Sequence, residues 1–467
     1  MELQYRESEV KLLSRQVWMS CQQRSRMALV RGRRGAGKTA VVNAAMGDGP
    51  FLYFNFSGRP EQLLFEDFRQ QLRVKYEVFV PSKVVNLETL FEFIFDISHK
   101  KPLNLVLDDC DGFFAAREDF AAFLSELWKD NRSGTHVFMV LIFENSALVD
   151  ALFQREDSPL LNCPDVTVPV RCFTPAQLKS LLLAKDPART SEDLLALYMA
   201  TGGAPGLVMA ALEGTDATRS GIYAYMLSES SPLHLAAVSR LSGALGKNSE
   251  IYMAILYLIA CGVTSQPELE ERLGGTGIGG HLSRLETDYQ LVSKMRPVLA
   301  SAQSRNVVRY CISDQYMLFW LKYMEANRST FMLGKYSDIL SWAAADFEQA
   351  GREALVRYFM EKFSEENDIV RIGGDWPGSR PAKEFSRKKE FYKAKTRTAK
   401  RKPAAPAQHE IDIVAMEEKK GKALVADVCL EASDFKKGPF LDRLATLKKG
   451  PLKGYIIDSR VFTLEDM

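Results

Sequence analysis

The sequence lacks a run of about eighteen apolar residues, the length needed to cross a membrane, and it lacks an apolar N-terminal segment of the kind that directs secretion. We therefore expect a soluble, cytoplasmic protein with no membrane partner. The net charge is only +2, so the overall charge balance excludes no class of partner. Only local clusters of charge are informative.

Paired cysteines are also lacking. The seven cysteines are odd in number and scattered, and none belongs to a C-x-x-C pair, so the sequence predicts neither a disulfide framework nor a zinc site. We expect reduced, incidental thiols. The seven are Cys21, Cys110, Cys163, Cys172, Cys261, Cys311 and Cys429.

A glycine-rich stretch carries the clearest chemical signal. Residues 32–39, GRRGAGKT, satisfy G-x-x-x-x-G-K-[ST], and they lie between an apolar run that predicts a strand (27–30) and a segment that predicts a helix (40–46). Glycines let backbone N–H groups approach phosphate oxygens, and a helix N-terminus adds partial positive charge. We expect Lys38 to reach the β- and γ-phosphates and the Thr39 hydroxyl to bind Mg²⁺. The nucleotide-binding residues predicted here are Gly32, Arg33, Arg34, Gly35, Ala36, Gly37, Lys38, Thr39 and Ala40.

A second apolar run, LNLVL at residues 103–107, ends in Asp108 and Asp109. In P-loop enzymes such a strand lies beside the phosphate loop, where its first acid holds the Mg²⁺ shell and its second orients or deprotonates the attacking water. We assign the metal role to Asp108 and the catalytic water role to Asp109. The alternative is that both acids are ordinary loop residues at the end of a strand.

Further apolar runs complete the prediction of an α/β domain. Residues 51–56, 136–143 and 166–170 read as strands, and helical patterns lie between several of them. Near-continuous apolar strands that alternate with helices predict a parallel sheet covered on both faces. After the fourth strand, Asn145 or Ser146 is a candidate to contact the γ-phosphate or the water, and the alternative role is a helix cap.

Together these motifs resemble the archaeal and bacterial AAA-type ATPases related to the STAND class. The resemblance extends to TGGAP at residues 201–205, because a GG-x-P turn of that family begins a helix next to the nucleotide. It continues in RYCISDQYMLFW at residues 309–320, which looks like the family's Y-x-I-x-D-x-x-x-x-F-W signature. The resemblance implies ATP and Mg²⁺ as cofactors, a small helical lid, and nucleotide contacts from Gly203 and Pro205.

The chain departs from this family at two places. Asp109 stands where the family usually has Glu; it is one methylene shorter, so a water that it holds would lie roughly an ångström away, which can cost about a hundredfold in rate. Residues 158–164, SPLLNCP, also lack the arginine that the family carries after Pro-Leu-Tyr, and Arg155 is the nearest substitute. We therefore expect ATP binding with slow hydrolysis.

Residues 248–309 predict a winged helix-turn-helix, with three helices followed by a two-stranded hairpin. The third helix and the hairpin together carry only a modest positive charge. That charge permits binding in a DNA groove, and packing against a protein domain is the other interpretation. DNA and protein partners both stay open. The candidate contacts are His281, Ser283, Arg284 and Thr287 on the third helix, and Lys294, Arg296, Arg305 and Arg309 on the hairpin.

From about residue 337 the order of predicted elements resembles the restriction-endonuclease-like domain that the same family carries at its C-terminus. Such nucleases hold Mg²⁺ with a helix Glu, a strand Asp and an E-x-K on the next strand. Glu353 and Asp412 match the first two, whereas the third is Asp427-Val428-Cys429, which lacks the lysine. We expect a degenerate nuclease site, and the alternative is an active nuclease that takes Glu431, Lys436 or Lys437 from the neighbouring turn.

Residues 380–408 form a basic insertion with eleven Lys and Arg and only two Glu. Such a loop can contact a phosphate backbone, and its aromatics Phe385, Phe391 and Tyr392 are candidates to stack on bases. The alternative is a solvated, partly disordered insertion without a partner.

The 467 residues, 46% of them hydrophobic, are enough for two to four domains at roughly 100 to 200 residues each. We predict an α/β P-loop NTPase core (1–175), a helical lid (176–235), a winged helix and linker (236–336) and a nuclease-like domain (337–467). The predicted function is that of an ATP-binding ATPase acting as a nucleotide-dependent switch, in which the GG-x-P turn couples phosphate occupancy to the later domains. The alternatives are an ATP-coupled, Mg²⁺-dependent DNA nuclease and a non-hydrolysing regulatory module, and oligomerisation stays open.

Overall fold

The computed structural model describes residues 4–56, 58–242, 249–299, 308–366, 369, 371–376 and 410–467. The contacts within the chain define two compact units. The first comprises residues 1–173, 203–209 and 239–244, and the second comprises 174–202, 210–238 and 245–467. The basic insertion (380–408) and Arg305 lie outside the described residues, and the boundaries of the lid, winged helix and nuclease-like domain stay predictions.

A five-stranded sheet forms the centre of the first unit, with the strand order β2-β3-β4-β1-β5. Every pair of neighbouring strands is parallel. The strands are β1 Arg26–Arg31, β2 Leu52–Asn55, β3 Leu103–Asp108, β4 Val137–Phe143 and β5 Val166–Pro169. The helices of this unit are α1 Glu7–Gln22, α2 Lys38–Met46, α3 Glu61–Tyr76, α4 Leu87–Ser98, α5 Cys110–Ala116, α6 Glu118–Asn131 and α7 Ser146–Phe153.

The sheet is buried on both faces, which explains why its strands read as continuous apolar runs. Alternate residues of a strand point to opposite faces, and in β1 Met27 and Leu29 belong to one hydrophobic core whereas Ala28 and Val30 belong to another. All seven residues of β4 are buried. The prediction of a parallel sheet covered on both faces is confirmed.

The strand order refines one expectation from the sequence. We expected the strand that ends in Asp108 to lie beside the phosphate loop, but β4 lies between β3 and β1, the strand that precedes the loop. The Asp108 side chain nevertheless reaches the loop, as described below. This order, with a strand inserted between the two motif-bearing strands, fits an α/β P-loop NTPase fold.

The second unit is mainly helical before its C-terminal sheet. Helix α9 is central to it, because every residue from Asp193 to Thr201 is buried. After α8 and α9 come α10, whose first residues belong to the first unit, and a series of further helices. They are α8 Pro175–Lys185, α9 Ser191–Thr201, α10 Pro205–Gly214, α11 Arg219–Met226, α12 Pro232–Ser242, α13 Ser249–Ala260, α14 Gln266–Arg272, α15 Gly279–Thr287, α16 Gln315–Tyr323, α17 Arg328–Met332, α18 Tyr336–Ala345 and α19 Phe347–Glu366.

The region predicted as a winged helix contains the expected elements in the expected order. Helices α13, α14 and α15 are followed by an antiparallel pair of strands, β6 Val292–Met295 and β7 Arg309–Ile312. The assignment of these elements as a winged helix, and their role in DNA binding, stay predictions.

Within the described ranges, no helix combines the length and the apolar character needed to span a bilayer.

A four-stranded sheet follows α19, with the order β11-β10-β9-β8. Strands β8, β9 and β10 pair antiparallel, and β11 is parallel to β10 after the crossover helix α20. One face packs on α20 through apolar side chains such as Val414, Val425, Phe440 and Leu444. The elements are β8 Arg371–Asp375, β9 Ile411–Glu417, β10 Lys422–Val428, α20 Lys437–Lys449 and β11 Ile456–Phe462.

Candidate nucleotide-binding site

The glycine-rich loop at residues 32–39 joins the end of β1 to the start of α2, as the sequence predicts. Gly35 and Gly37 have φ values of 81° and 88°, a left-handed conformation that favours glycine. Gly32 is required for a different reason, because a Cβ there would lie 1.9 Å from the carbonyl oxygen of Val170. The motif therefore combines residues that shape the loop with one that permits close packing after β5.

Lys38 lies at the centre of this loop, and its side chain is only 6% exposed. Its Nζ donates to the carbonyl oxygens of Gly32 and Arg33, both at 2.9 Å. It also donates to Glu144 Oε1 at 3.1 Å, where Glu144 directly follows β4. The ammonium is thus held by partners that follow the carboxyl ends of the neighbouring parallel strands β1 and β4.

The Thr39 hydroxyl and the Asp108 carboxylate meet at the first turn of α2. Thr39 Oγ1 donates to Asp108 Oδ2 at 2.8 Å, and the backbone N–H of Asp109 donates to Asp108 Oδ1 at 2.8 Å. Tyr53 of β2 donates its hydroxyl to the same Oδ2 at 2.5 Å, and burial, together with this bond to Asp108, raises the pKa of Tyr53. Hydroxyl and carboxylate oxygens are ligands that Mg²⁺ accepts, so Thr39 and Asp108 fit a magnesium site. The sequence analysis did not single out Tyr53.

Asp109 begins α5 in a left-handed conformation, with φ of 54°. Few residues other than glycine adopt this conformation, and functional sites are common among those that do. Burial raises the pKa of Asp109, and the negative charge of Glu144 raises it further. The structure therefore brings Asp109 and Glu144 near each other, although the sequence analysis gave Glu144 no role.

The end of β4 is held by a carboxylate that the sequence analysis also missed. Asp111 accepts the backbone N–H of Glu144 at 2.8 Å and that of Asn145 at 2.7 Å. Asn145 Oδ1 in turn accepts the N–H groups of Ala147 and Leu148 at the start of α7. Asn145 thus serves as a helix cap, the alternative that the sequence left open, and it is the Glu144 side chain that reaches Lys38.

The GG-x-P turn lies against the phosphate loop. The Phe173 N–H donates to the carbonyl oxygen of Gly203 at 2.8 Å, and a Cβ on Gly203, whose φ is 73°, would lie 2.5 Å from the Phe173 carbonyl oxygen. Pro205 begins α10, and its Cγ would lie 3.9 Å from a Cβ placed on Gly37. Pro205 therefore adjoins the loop, whereas Gly203 packs against Phe173, after β5.

Arg6 supports the same loop from the N-terminal segment. It is 5% exposed, and its guanidinium donates to the carbonyl oxygen of Ala36 at 3.1 Å and to that of Arg171. The guanidinium also lies 5.6 Å from the centroid of the Phe173 ring. A single arginine before an amphipathic helix carries no recognisable sequence signal, so this contact could be found only in the structure.

The three predicted nuclease acids of the second unit do not converge. Asp412 on β9 and Asp427 on β10 lie close enough for the charge of Asp427 to raise the pKa of Asp412. Glu353 on α19 is exposed; desolvation by the surrounding protein raises its pKa, and the nearby charges that act on it include Lys322 and Asp346. In the part of the chain that the structure describes, no group of three or more His, Cys, Asp or Glu side chains is placed to hold a metal ion.

The predicted DNA-contacting hairpin is partly engaged within the second unit. Arg309 of β7 donates to both carboxylate oxygens of Glu410, at 3.1 and 3.0 Å, and lies 4.5 Å from the centroid of the Trp376 ring. Lys294 and Arg296 are exposed, as are Ser283, Arg284 and Thr287 on α15, whereas His281 is half-buried. Since its carboxylate partner balances the charge of Arg309, the hairpin offers less free positive charge than the sequence suggested.

Taken together, the parallel sheet, its strand order and the loop after β1 define a P-loop nucleoside triphosphatase fold. The chain matches no protein-family model and no curated protein. Among solved structures it is similar to the Walker-type ATPase of Pyrococcus abyssi, with 14% identity, 68% of this chain and 96% of that chain covered, and a TM-score of 0.46.

Two further solved structures show weaker similarity. The Aeropyrum pernix ORC2 protein in its ADPNP-ADP complexes has 15% identity, with 74% of this chain and 96% of that chain covered and a TM-score of 0.42. A STAND protein with a tetratricopeptide-repeat sensor from Pyrococcus horikoshii has 12% identity, with 76% and 47% covered and a TM-score of 0.30. Because these scores are low, the fold assignment rests on the strand order and on the geometry of the loop.

Proposed function

We propose that this protein is an ATP-binding, AAA-type ATPase that acts as a nucleotide-dependent switch. The observation that carries the proposal is the hydrogen bond of 2.8 Å between Thr39 Oγ1 and Asp108 Oδ2, at the first turn after a loop centred on Lys38. This hydrogen bond joins the glycine-rich loop motif to the acidic end of β3. The loop from Gly32 to Ala40 binds the phosphates through backbone N–H groups and the helix N-terminus.

The charges of the site divide between phosphate binding and metal binding. Lys38 neutralises the β- and γ-phosphates, and Thr39 and Asp108 supply oxygen ligands to Mg²⁺. Bound there, Mg²⁺ neutralises charge that develops on the phosphate oxygens. Pro205 contributes the wall of the site next to Gly37, and Gly203 forms the turn that leads to it.

Hydrolysis requires a group that orients the attacking water, and we assign this role to Asp109 with Glu144 as its acidic neighbour. Both carboxylates lie near Lys38, as the direct bond of Glu144 and the influence of Lys38 on the pKa of Asp109 indicate. Asn145 contributes through the same strand end, which Asp111 holds in position. The short Asp109 side chain makes slow turnover the expected behaviour.

The proposed switch uses the chain path after the GG-x-P turn. Residues 203–209 belong to the first unit and residues 210–238 to the second, and α10 runs through this boundary from Pro205 to Gly214. A change in the loop when the γ-phosphate is lost therefore acts on the first turn of a helix that continues into the second unit. The proposed partners of such a switch are DNA, bound through α15 or the basic insertion, and a protein.

The experiment that tests the proposal is isothermal titration calorimetry with ATP and Mg²⁺, combined with turnover measurements in the presence and absence of duplex DNA. Lys38→Ala removes the ammonium from the loop, and Lys185→Ala, an exposed lysine at the end of α8, is the matched control. We expect ATP binding by the wild type and the control and a loss of at least about tenfold in affinity in Lys38→Ala, which corresponds to roughly 1.4 kcal/mol.

The outcomes separate the candidate functions. Equal ATP affinity in wild type and Lys38→Ala contradicts nucleotide binding at this loop. Binding with negligible turnover supports the non-hydrolysing regulatory module, whereas turnover that DNA stimulates supports a nucleic-acid-coupled ATPase. Cleavage of the DNA would identify the ATP-coupled nuclease.

A further inference from the structure

Two carboxylates lie opposite each other on the neighbouring strands β9 and β10 of the C-terminal sheet. The antiparallel register of β9 and β10 ends with the pair Ala426 and Ile413, and the next residues in that register are Asp427 and Asp412. Opposite residues of an antiparallel pair project from the same face. Asp427 is 4% exposed and the Asp412 side chain is 13% exposed, so two acidic groups share one largely buried position.

A guanidinium from α19, whose side chain is 50% exposed, contacts Asp412 of this pair. One terminal nitrogen of Arg352 donates to Asp412 Oδ1 at 2.9 Å and to Oδ2 at 2.6 Å. Arg352 Nε donates to the carbonyl oxygen of Val428 at 2.9 Å, and the Val428 N–H donates to Asp412 Oδ2 at 2.8 Å. Arg352 and Asp412 are therefore tied both to each other and to the same residue of β10, Val428.

The electrostatics agree with this geometry. Burial raises the pKa of Asp412 and the charge of Asp427 adds to that effect, whereas the charge of Arg352 opposes it. Two buried carboxylates need a cation nearby if both are to remain ionised. Arg352 supplies that cation from the protein itself.

We propose that the guanidinium of Arg352 is the resident cation of the Asp412–Asp427 pair and occupies the place that a divalent metal ion would take. A metal ion bound to Asp412 lies about 2.0–2.6 Å from its oxygen ligands, depending on the metal. The guanidinium nitrogen already lies at 2.6 Å from Oδ2, so the two cations exclude each other sterically and by charge.

The surrounding residues fit a protein cation better than a metal. The third acid expected from the sequence, Glu353, adjoins Lys322 and Asp346 instead. Cys429 occupies the position two residues after Asp427 where a metal-dependent nuclease resembling this domain has lysine. Arg352 therefore fastens α19 to the sheet through Asp412 and Val428.

The test is a titration of the full chain with Mn²⁺, followed by electron paramagnetic resonance of the free ion. Arg352→Met removes the charge and keeps an unbranched apolar side chain. Arg357→Met is the matched control on the same helix, since Arg357 donates to the carbonyl oxygens of Ile312 and Ser313. We expect Arg352→Met to gain one Mn²⁺ site with an affinity at least tenfold above any wild-type binding. The double variant Arg352→Met/Asp412→Asn loses the gain, and Arg357→Met behaves as the wild type.

Two results would overturn the proposal. One is a folded Arg352→Met variant, verified by its thermal melting, that binds no more Mn²⁺ than the wild type. The other is a wild-type protein whose Mn²⁺ binding falls in Asp412→Asn, because a metal would then occupy the pair despite Arg352. This second comparison stays decisive even where Arg352→Met does not fold, and it uses no nucleotide, so its outcome is independent of the proposed ATPase function.

Discussion

Thr39 Oγ1 and Tyr53 OH both donate to one oxygen, Oδ2 of Asp108, at 2.8 and 2.5 Å. The two hydroxyls come from different elements, the first turn of α2 and the strand β2. Only Thr39 belongs to the phosphate loop. The pair therefore offers two substitutions that remove the same kind of hydrogen bond from the same acceptor, with different consequences for a bound metal.

Thr39→Val should abolish the dependence of ATP affinity on Mg²⁺, since it removes a proposed metal ligand. Tyr53→Phe should leave that dependence in place and change ATP affinity by about fivefold at most, because one hydrogen bond contributes about 1 kcal/mol. Calorimetric titrations with ATP in Mg²⁺ and in EDTA measure both effects. Equal Mg²⁺ dependence in the wild type and Thr39→Val would contradict the assignment of Thr39 as a ligand.

Glu144→Gln should reduce ATP turnover by up to about a hundredfold, because it removes the acidic neighbour of Asp109, to which we assign the attacking water, while ATP binding is retained. The amide keeps the size of the side chain and removes the charge next to Lys38 and Asp109. Steady-state turnover and equilibrium binding are measured on the same preparation.

Asn145→Ala is the comparison for Glu144→Gln, because Asn145 follows it directly and caps α7. Loss of the cap should cost about 1 kcal/mol of stability and leave turnover within a few-fold of the wild type. The opposite result, a large loss of turnover in Asn145→Ala and little in Glu144→Gln, would assign the catalytic role to Asn145.

Gly32→Ala should destabilise the protein by about 1–3 kcal/mol, because the added methyl group overlaps the Val170 carbonyl oxygen. Gly112→Ala in α5 is the control: a Cβ there meets nothing within 4 Å. That change should stabilise the protein by about 0.5–1 kcal/mol through helix propensity and chain entropy. Urea denaturation compares the two variants, and equal stability of Gly32→Ala and the wild type would exclude the steric role of Gly32.

Glu353 should make stability depend on pH, although the residue is exposed on α19. Desolvation by the surrounding protein raises its pKa; Lys322, Arg352 and Arg357 oppose the rise and Asp346 adds to it. A raised pKa in the folded state means that the folded protein binds the proton more tightly than the unfolded chain, so stability falls as the pH rises from the ordinary pKa of Glu through the raised one.

Glu353→Gln should remove this fall in stability. The variant and the wild type should be similarly dependent on pH below the ordinary pKa, and the variant should gain relative to the wild type above it. Glu348→Gln, on the same helix, is the control for the loss of one carboxylate. Thermal melting across the pH range measures the difference, and a gap between Glu353→Gln and wild type that stays constant with pH would contradict the prediction.

Much of the first unit could be predicted from the sequence because its strands are buried on both faces. Residues 136–143 were predicted as a strand, and β4 spans Val137–Phe143 with every residue buried. The position of the loop between β1 and α2 followed from its glycines and Lys38. The order of the strands could not be predicted, since the apolar pattern of a strand does not record which neighbours it pairs with.

The side-chain directions in the sites were harder to predict. Glu144 and Asn145 are adjacent, and the hydrogen bonds from their N–H groups to Asp111 decide which of them reaches Lys38 and which caps α7. Arg352 and Glu353 are also adjacent on α19, where one residue corresponds to a rotation of about 100° around the helix axis. The nuclease motif assigns a role to Glu353 from its residue type alone and contains no information about which side of the helix it lies on. In the structure it is Arg352 that faces the sheet.

The route of the chain between the units has a practical consequence. Residues 203–209 are part of the first unit, although 174–202 belong to the second. A fragment that ends at residue 173 therefore loses both the carbonyl group that accepts the Phe173 N–H and the proline beside Gly37. The nucleotide-binding unit cannot be excised as one contiguous piece, so a protease cut or a premature stop after β5 damages the proposed ATP site even though every residue of its phosphate loop is retained.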